Sequence, residues 1–197
     1  MTPVVLASVS ASRRALLTNA GVTFEARAPG VDEDAAKASL LAENASPREV
    51  ADALAELKAI RVSRRTGGLV IGADQTLDLA GGLVDKAASL DEARDRLKAL
   101  RGRSHKLHAA VVVARDGEAI WREVDTATLW MRDISDAFLE RYLEANKARI
   151  LSSVGCYQLE SEGVQLFERI EGDYFTILGL PMLGLLDLLR RHGALQI

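Results

Sequence analysis

The sequence predicts an α/β fold, and three observations carry that prediction. The apolar run Val4-Val5-Leu6-Ala7 has the length of a buried strand and passes through a Ser-rich turn into a helical pattern. A capped helix ending before Gly67-Gly68 is followed by Leu69-Val70-Ile71, an apolar run typical of a central strand. Further along, turns at Gly81-Gly82 and Asp116-Gly117 join extended segments into antiparallel hairpins.

The first helix is read over Arg13 to Asn19, with Leu16 and Leu17 inward and Asn19-Ala20-Gly21 as its stop. Arg13 and Arg14 fall in its first turn, where cations oppose the helix dipole. A bound anion reverses that cost. Free N–H groups at the helix start, the hydroxyls of Ser8, Ser10 and Ser12, and two guanidinium groups form a phosphate cradle. A capped helix carrying two solvated arginines is the alternative. Val22 to Ala26 reads as a short second strand, and Pro29 to Asn44 as a mobile connection over a cleft. Within it, Val31-Asp32-Glu33-Asp34 is either a solvated acidic loop or a site for a hard cation such as Mg²⁺, which takes one or two carboxylates from a protein.

Ser46-Pro47-Arg48-Glu49 has capping-box spacing with Pro at the first helical position, and the helix runs to about Arg65. Val50, Leu54 and Leu57 form its apolar face. Lys58 borders that face, where it either snorkels to water or projects into a cleft toward an anion. Asp74 follows Gly72 and Ala73 at the end of the next strand, where small residues let a ligand approach the backbone. A turn aspartate bonding its own backbone has the same local pattern. Leu83-Val84-Asp85-Lys86 returns antiparallel and brings Lys86 toward the level of Asp74.

Ser89 caps a helix over Leu90 to Leu100, and His108–Ala114 pairs with Ala119–Met131 as a long hairpin. Ser135 starts a helix whose buried side is Phe138, Tyr142 and Leu143. Ser153 to Glu160 is a Gly-containing connection, Val164 to Ile170 a strand, and Glu171-Gly172-Asp173 a turn. The last helix begins near Pro181, turns Leu185, Leu186 and Leu189 inward, and ends at Arg190-Arg191-His192-Gly193.

With 197 residues, 48% of them hydrophobic, the chain is one domain or two small lobes with a substantial core. A net charge of −3 argues against a general nucleic-acid binder, which needs a basic excess. No apolar run approaches a membrane span, and the first residues lack a signal-peptide pattern. The single cysteine, Cys156, excludes an internal disulfide and fits a reducing cytoplasm, where it is read as a small buried residue rather than a nucleophile. His105 and His108 lack the spacing of a zinc site. A soluble cytoplasmic protein is expected.

Taken in order, these segments resemble the Maf-type nucleotide pyrophosphatases. The likeness is carried by Leu6 to Arg14, Val31-Asp32-Glu33, Lys58, Gly72-Ala73-Asp74-Gln75, Lys86 and Gly102-Arg103-Ser104-His105. Gly155-Cys156-Tyr157, Glu171-Gly172-Asp173-Tyr174 and Gly179-Leu180-Pro181 complete it. The resemblance implies a single Maf/Ham1-like domain over 1–197: an elongated mixed sheet flanked by helices, in two lobes around a nucleotide cleft. It implies hydrolysis of a nucleoside triphosphate to the monophosphate and pyrophosphate with a divalent cation, Mg²⁺ in first place and Mn²⁺ as the alternate. Carried over by residue, Asp74 is the proton acceptor and, with Glu33, a metal ligand; Ser8, Ser10, Arg13, Arg14, Lys58 and Lys86 bind phosphate. Ser12, Gln75 and Glu160 fall where base specificity varies between branches. Gln75 replaces the Thr usual in the thymidine- and uridine-triphosphate branch, and Gly155 to Arg169 looks more like the 7-methyl-GTP branch. Ala87 stands where the family usually has Pro. A homodimer is compatible with the likeness. A nucleotide-binding regulator of cell division without catalysis, and a phosphatase using the same cradle, are the competing readings.

Overall fold

The computed structural model describes residues 1–196; Ile197, the last residue of the expected domain, lies outside the described residues. The chain runs β1 (Val4–Ala7), α1 (Ala11–Asn19), β2 (Glu25–Ala26), α2 (Glu33–Ala42), α3 (Pro47–Ser63), β3 (Leu69–Leu79) and β4 (Gly82–Val84). It continues with α4 (Leu90–Leu100), β5 (Ser104–Arg115), β6 (Glu118–Met131), α5 (Asp136–Ile150), a 3₁₀ turn (Glu162–Leu166), β7 (Phe167–Glu171), α6 (Tyr174–Ile177) and α7 (Met182–Arg191). The strands form one mixed seven-stranded sheet in the order β2-β1-β3-β5-β6-β7, with β4 also on β3.

What positions the cleft is an interruption along one edge of β3. Its first half pairs parallel with β1, from Val4↔Leu69 to Ala7↔Gly72. On the same side, its last residues pair antiparallel with β4, from Leu77↔Val84 to Leu79↔Gly82. Between these registers, Ala73 to Thr76 have only β5 as a sheet partner, through pairs such as Asp74↔Ala110. The sheet is therefore open where β1 ends and turns into α1. A crevice beyond the carboxyl end of a parallel strand is where ligands enter α/β sheets.

Alternation along β3 assigns its side chains to two faces. Toward α3, Thr76 Oγ1 donates to the Pro47 carbonyl at 2.7 Å, and Asp74 meets Lys58. The α3 face is built from small residues, with Ala51, Ala55 and Ala59 against Ala110, Val112 and Ala114, so helix and sheet approach closely. On the opposite face, Ile71, Ala73, Val111 and Val113 pack under Leu16 and Leu17 of α1 and Leu185, Leu188 and Leu189 of α7. The far end of that face carries a separate cluster around Leu77, Leu107, Leu129, Leu97 and Leu139, covered by α4 and α5.

Several elements depart from expectation, each for a physical reason. Pro29 to Asn44 is not simply a connection, because Asp32 caps α2, accepting from Ala35 N at 3.0 Å, and Glu33 and Asp34 in the first turn favour the dipole. The second strand shortens to Glu25–Ala26 because its parallel register on β1 holds for two residues. Val164 to Leu166 wind into the 3₁₀ turn, and the strand begins only at Phe167. Asp173 caps α6, a helix not expected, by accepting from Phe175 N and Thr176 N. Leu57 is 39% exposed, since the faces of α3 toward the sheet are taken by Val50, Leu54 and the alanines. Asp74 lies in the middle of β3 rather than at its end, because pairing with β5 continues past it.

Candidate active site

At the open edge of β3 lies a cavity of about 1090 Å³ whose walls come from the β1–α1 turn, α2, α3, β3, the segment after β4, and residues 152–160. Of the residues singled out in the sequence, it brings together Ser8, Ser10, Ser12, Arg13, Glu33, Lys58, Asp74, Gln75, Lys86 and Glu160. Arg14 is not on this wall. It is exposed on the next helical position and donates from Nη2 to the Val9 carbonyl at 3.1 Å.

At the centre is Lys58, only 5% exposed although it sits on a helix bordering water. Its Nζ is 2.6 Å from Asp74 Oδ1 and 2.8 Å from Glu33 Oε2. Lys58 therefore does not snorkel outward; it lines the cleft, where it holds two carboxylates of different elements against each other. The Lys58 and Asp74 side chains are only 6% and 12% exposed, so removing either leaves uncompensated charge, which is costly. Among the described residues no hydrogen bond reaches Asp74 Oδ2.

The β1–α1 turn is stitched to the segment after α6. Ser10 caps α1 through Arg13 N at 3.4 Å, and Ser10 N donates to Ser8 Oγ at 3.2 Å. Ser12 Oγ donates to the Leu178 carbonyl at 3.0 Å, and Arg13 Nε to the Gly179 carbonyl at 2.8 Å. Burial pulls the Arg13 guanidinium below the ordinary arginine value, against the opposing attraction of Asp74 and Glu33. Gln75 Nε2 donates to the Thr176 and Ile177 carbonyls, both at 2.9 Å. Both amide hydrogens are thus engaged, leaving Oε1 as the group it offers a ligand. Gly179 has a φ of +92°, and a Cβ there would press on that same Oε1 at 3.4 Å.

Lys86 and Glu160 are exposed on the rim. The loop carrying Glu160 is anchored behind the cleft by Tyr157, whose hydroxyl shares a 2.6 Å hydrogen bond with His105 Nε2. Gly155 is required there, because a Cβ would collide with the Tyr157 ring. Cys156 is fully buried, and burial raises its thiol pKa, so it packs rather than attacks. His108 bonds Thr126 and Asp78 instead of a cleft ligand. Sequence reasoning missed Lys37, Asp85 and Tyr157 on the cleft wall. The adjacency of Tyr157 to the Gly-containing turn was the one local signal.

His105 supplies a pH test of this anchoring. Burial lowers its pKa from 6.5 to about 4. The unfolded chain therefore binds the proton that the folded chain refuses, and stability is full above pH 6.5 and lost as pH falls toward 4. At 1.36 kcal/mol per unit the loss is at most about 3 kcal/mol. Urea unfolding at pH 7 and pH 4 should show this loss in the wild type and a smaller one in His105→Gln. Equal pH slopes would remove His105 as the source.

Among the described residues no group of three or more His, Cys, Asp or Glu gathers to hold a metal, and no helix is long and apolar enough to cross a membrane. Glu33 and Asp74 converge as a pair.

The family model for Maf-like proteins matches residues 3–192. A nucleoside triphosphate pyrophosphatase of Caulobacter vibrioides is 68% identical over 197 residues, covering 100% of this chain and 99% of that protein. A 7-methyl-GTP pyrophosphatase of Rhizobium meliloti is 53% identical over 193 residues, covering 98% of this chain and 97% of that protein. Among solved structures, a HAM1 protein from Coxiella burnetii aligns with TM-score 0.47 and 17% identity over 68% of this chain and 75% of that one.

Proposed function

This chain belongs to the Maf family, and from that premise we propose that it is a nucleoside triphosphate pyrophosphatase acting in the cleft around Asp74. The observation that carries the reading is the Lys58–Asp74–Glu33 group at the open edge of β3, facing the N-terminus of α1. Asp74 takes a proton from the attacking water as its oxygen bonds to the α-phosphorus and the bond to the bridging oxygen of the β-phosphate breaks. The products are the monophosphate and pyrophosphate. Arg13, Lys58 and Lys86 offset charge on the phosphate oxygens and on the leaving group.

The charges on the cleft wall support a requirement for a divalent cation. Arg13, Lys37, Lys58 and Lys86 are outnumbered by Asp32, Glu33, Asp34, Asp74, Asp85 and Glu160, so a polyanionic triphosphate meets a net negative wall. Glu33 and Asp74 are a donor set that suits Mg²⁺ or Mn²⁺, whose remaining positions fall to phosphate oxygens and water. That cation would supply the missing positive charge at the phosphates.

For the base, Gln75 offers Oε1 and Glu160 its carboxylate, two acceptors that suit the N–H edge of guanine and favour the cationic 7-methyl form. A preference for 7-methyl-GTP is the finer part of the proposal, a preference for UTP or dTTP its alternative. A cytoplasmic setting and a homodimer complete it; light scattering reports the latter.

The decisive experiment is product analysis with 7-methyl-GTP, GTP, UTP, dTTP and CTP, with Mg²⁺ and with EDTA. Pyrophosphate release that EDTA abolishes is expected, with 7-methyl-GTP first. Orthophosphate as product would indicate a phosphatase, and binding without turnover a regulator.

A further inference from the structure

Lys37 is a cleft cation that neither the motifs nor the mechanism above uses. It projects from α2, and its Nζ lies 2.5 Å from Asp85 Oδ1 and 3.4 Å from Asp34 Oδ1. Asp85 belongs to the segment after β4, immediately before Lys86, so the pair joins two separate elements of the cleft wall. The two ends of the pair differ in solvation. The Lys37 side chain is 20% exposed, against 61% for Asp85. Burial pulls the Lys37 ammonium down, but pairing with Asp85 and Asp34 outweighs it, so it stays charged through neutral pH. A pair with a solvated carboxylate opens at little cost. Moving an ammonium from such a carboxylate to a more highly charged phosphate gains energy.

Lys58, by contrast, is itself buried and paired with the largely buried Asp74 (12% exposed) as well as the part-exposed Glu33, and Arg13 Nε is committed to a backbone carbonyl. Among the described residues, Lys37 is the ion-paired cleft lysine with the most exposed carboxylate partners, 61% for Asp85 and 96% for Asp34 against 12% and 43% for the partners of Lys58, so its partners return to water most readily when a polyanion arrives. We propose that Lys37 is a further phosphate-binding residue, held across the cleft by Asp85 and transferred to the phosphate tail when a triphosphate enters. This rests on the reading that a phosphate tail occupies this cleft. Asp85 is then a competitor that keeps Lys37 in place while the cleft is empty.

The test is isothermal titration of the full-length protein with inorganic tripolyphosphate and Mg²⁺, alongside steady-state hydrolysis of the preferred triphosphate. Lys37→Met should weaken tripolyphosphate binding and raise KM by about tenfold, the worth of one charge-assisted contact, with a much smaller change in kcat. Lys37→Arg should restore most of the affinity. Asp85→Asn should tighten binding about threefold by removing the competitor, and should do nothing in the Lys37→Met background. Unchanged affinity in Lys37→Met, or an Asp85→Asn effect that persists without Lys37, would overturn the proposal. Shifts in unfolding temperature with flat titrations would do the same, reducing the pair to a structural tie. If the wild type releases no pyrophosphate but the titrations follow this pattern, the phosphate site stands and the pyrophosphatase reading falls. Normal turnover with indifferent variants gives the reverse.

Discussion

Asp74→Asn is expected to lower pyrophosphate release by about a thousandfold, since a positioned general base contributes roughly 10²–10⁴ in rate. Asn preserves the shape and can still accept from Lys58, but it cannot take the proton of the attacking water. It also leaves the Lys58 ammonium, only 5% exposed, facing the part-exposed Glu33 alone. Some loss of unfolding free energy should therefore accompany the loss of rate, and binding of the triphosphate should be measured by titration in the same preparation. Retained binding with lost turnover is the expected pair of results. A variant that kept more than about a tenth of the wild-type rate would exclude Asp74 as the base, because that loss is below what removal of such a group produces.

Gly72→Ala should have the largest effect on stability, about 4 kcal/mol, and it should disable the site from a position outside the cavity wall. A Cβ on Gly72 would collide with the Ala55 carbonyl oxygen and lie 2.6 Å from Ala59 N, both backbone atoms of α3. Neither can rotate away, so the helix itself must retreat from β3. Lys58 is the residue before Ala59, and its 2.6 Å pair with Asp74 depends on that close approach. Urea unfolding should show the loss, and hydrolysis under conditions where the variant is still folded should show a reduced kcat. Gly67→Ala is the control, because no atom lies within 4 Å of the Cβ it would add. Its unfolding free energy should stay within about 0.5 kcal/mol of wild type. Equal losses at the two glycines would mean that close packing of α3 on β3 is not what holds Lys58 in place.

Much of this molecule is written in short-range patterns. The capping box of Ser46 and Glu49 and the Ser89 and Ser135 caps depend on residues three apart, so they are readable along the chain, whereas α1, read from Arg13, starts at Ala11 because Ser10, one of several serines in the turn, is the one that caps it. The β5–β6 hairpin follows from alternation around Asp116-Gly117, and Leu69 to Ile71 declared a central strand by being apolar throughout. The ordered motifs were enough to point to the family. α2 was also available locally: Asp32 followed by two acids and two alanines is a helix start, but the same residues read equally well as an acidic loop.

The sequence by itself therefore determined the starts of α3, α4 and α5, the core strands, the family and the residue types of the cleft. The tertiary structure alone decided what those residues face. It turned Lys58 inward to two carboxylates 25 and 16 residues away, placed Arg14 off the cleft wall, and set Asp85 against Lys37 across 48 residues of chain. It also left Ala73 to Thr76 open between two strand partners, a gap that depends on where β1 and β4 stop. The physical reason lies in range. Caps and periodicity act within a turn or a strand pair, whereas charge pairing in the cleft is set by how closely α3 can approach β3, and a glycine opposite two alanines determines that distance.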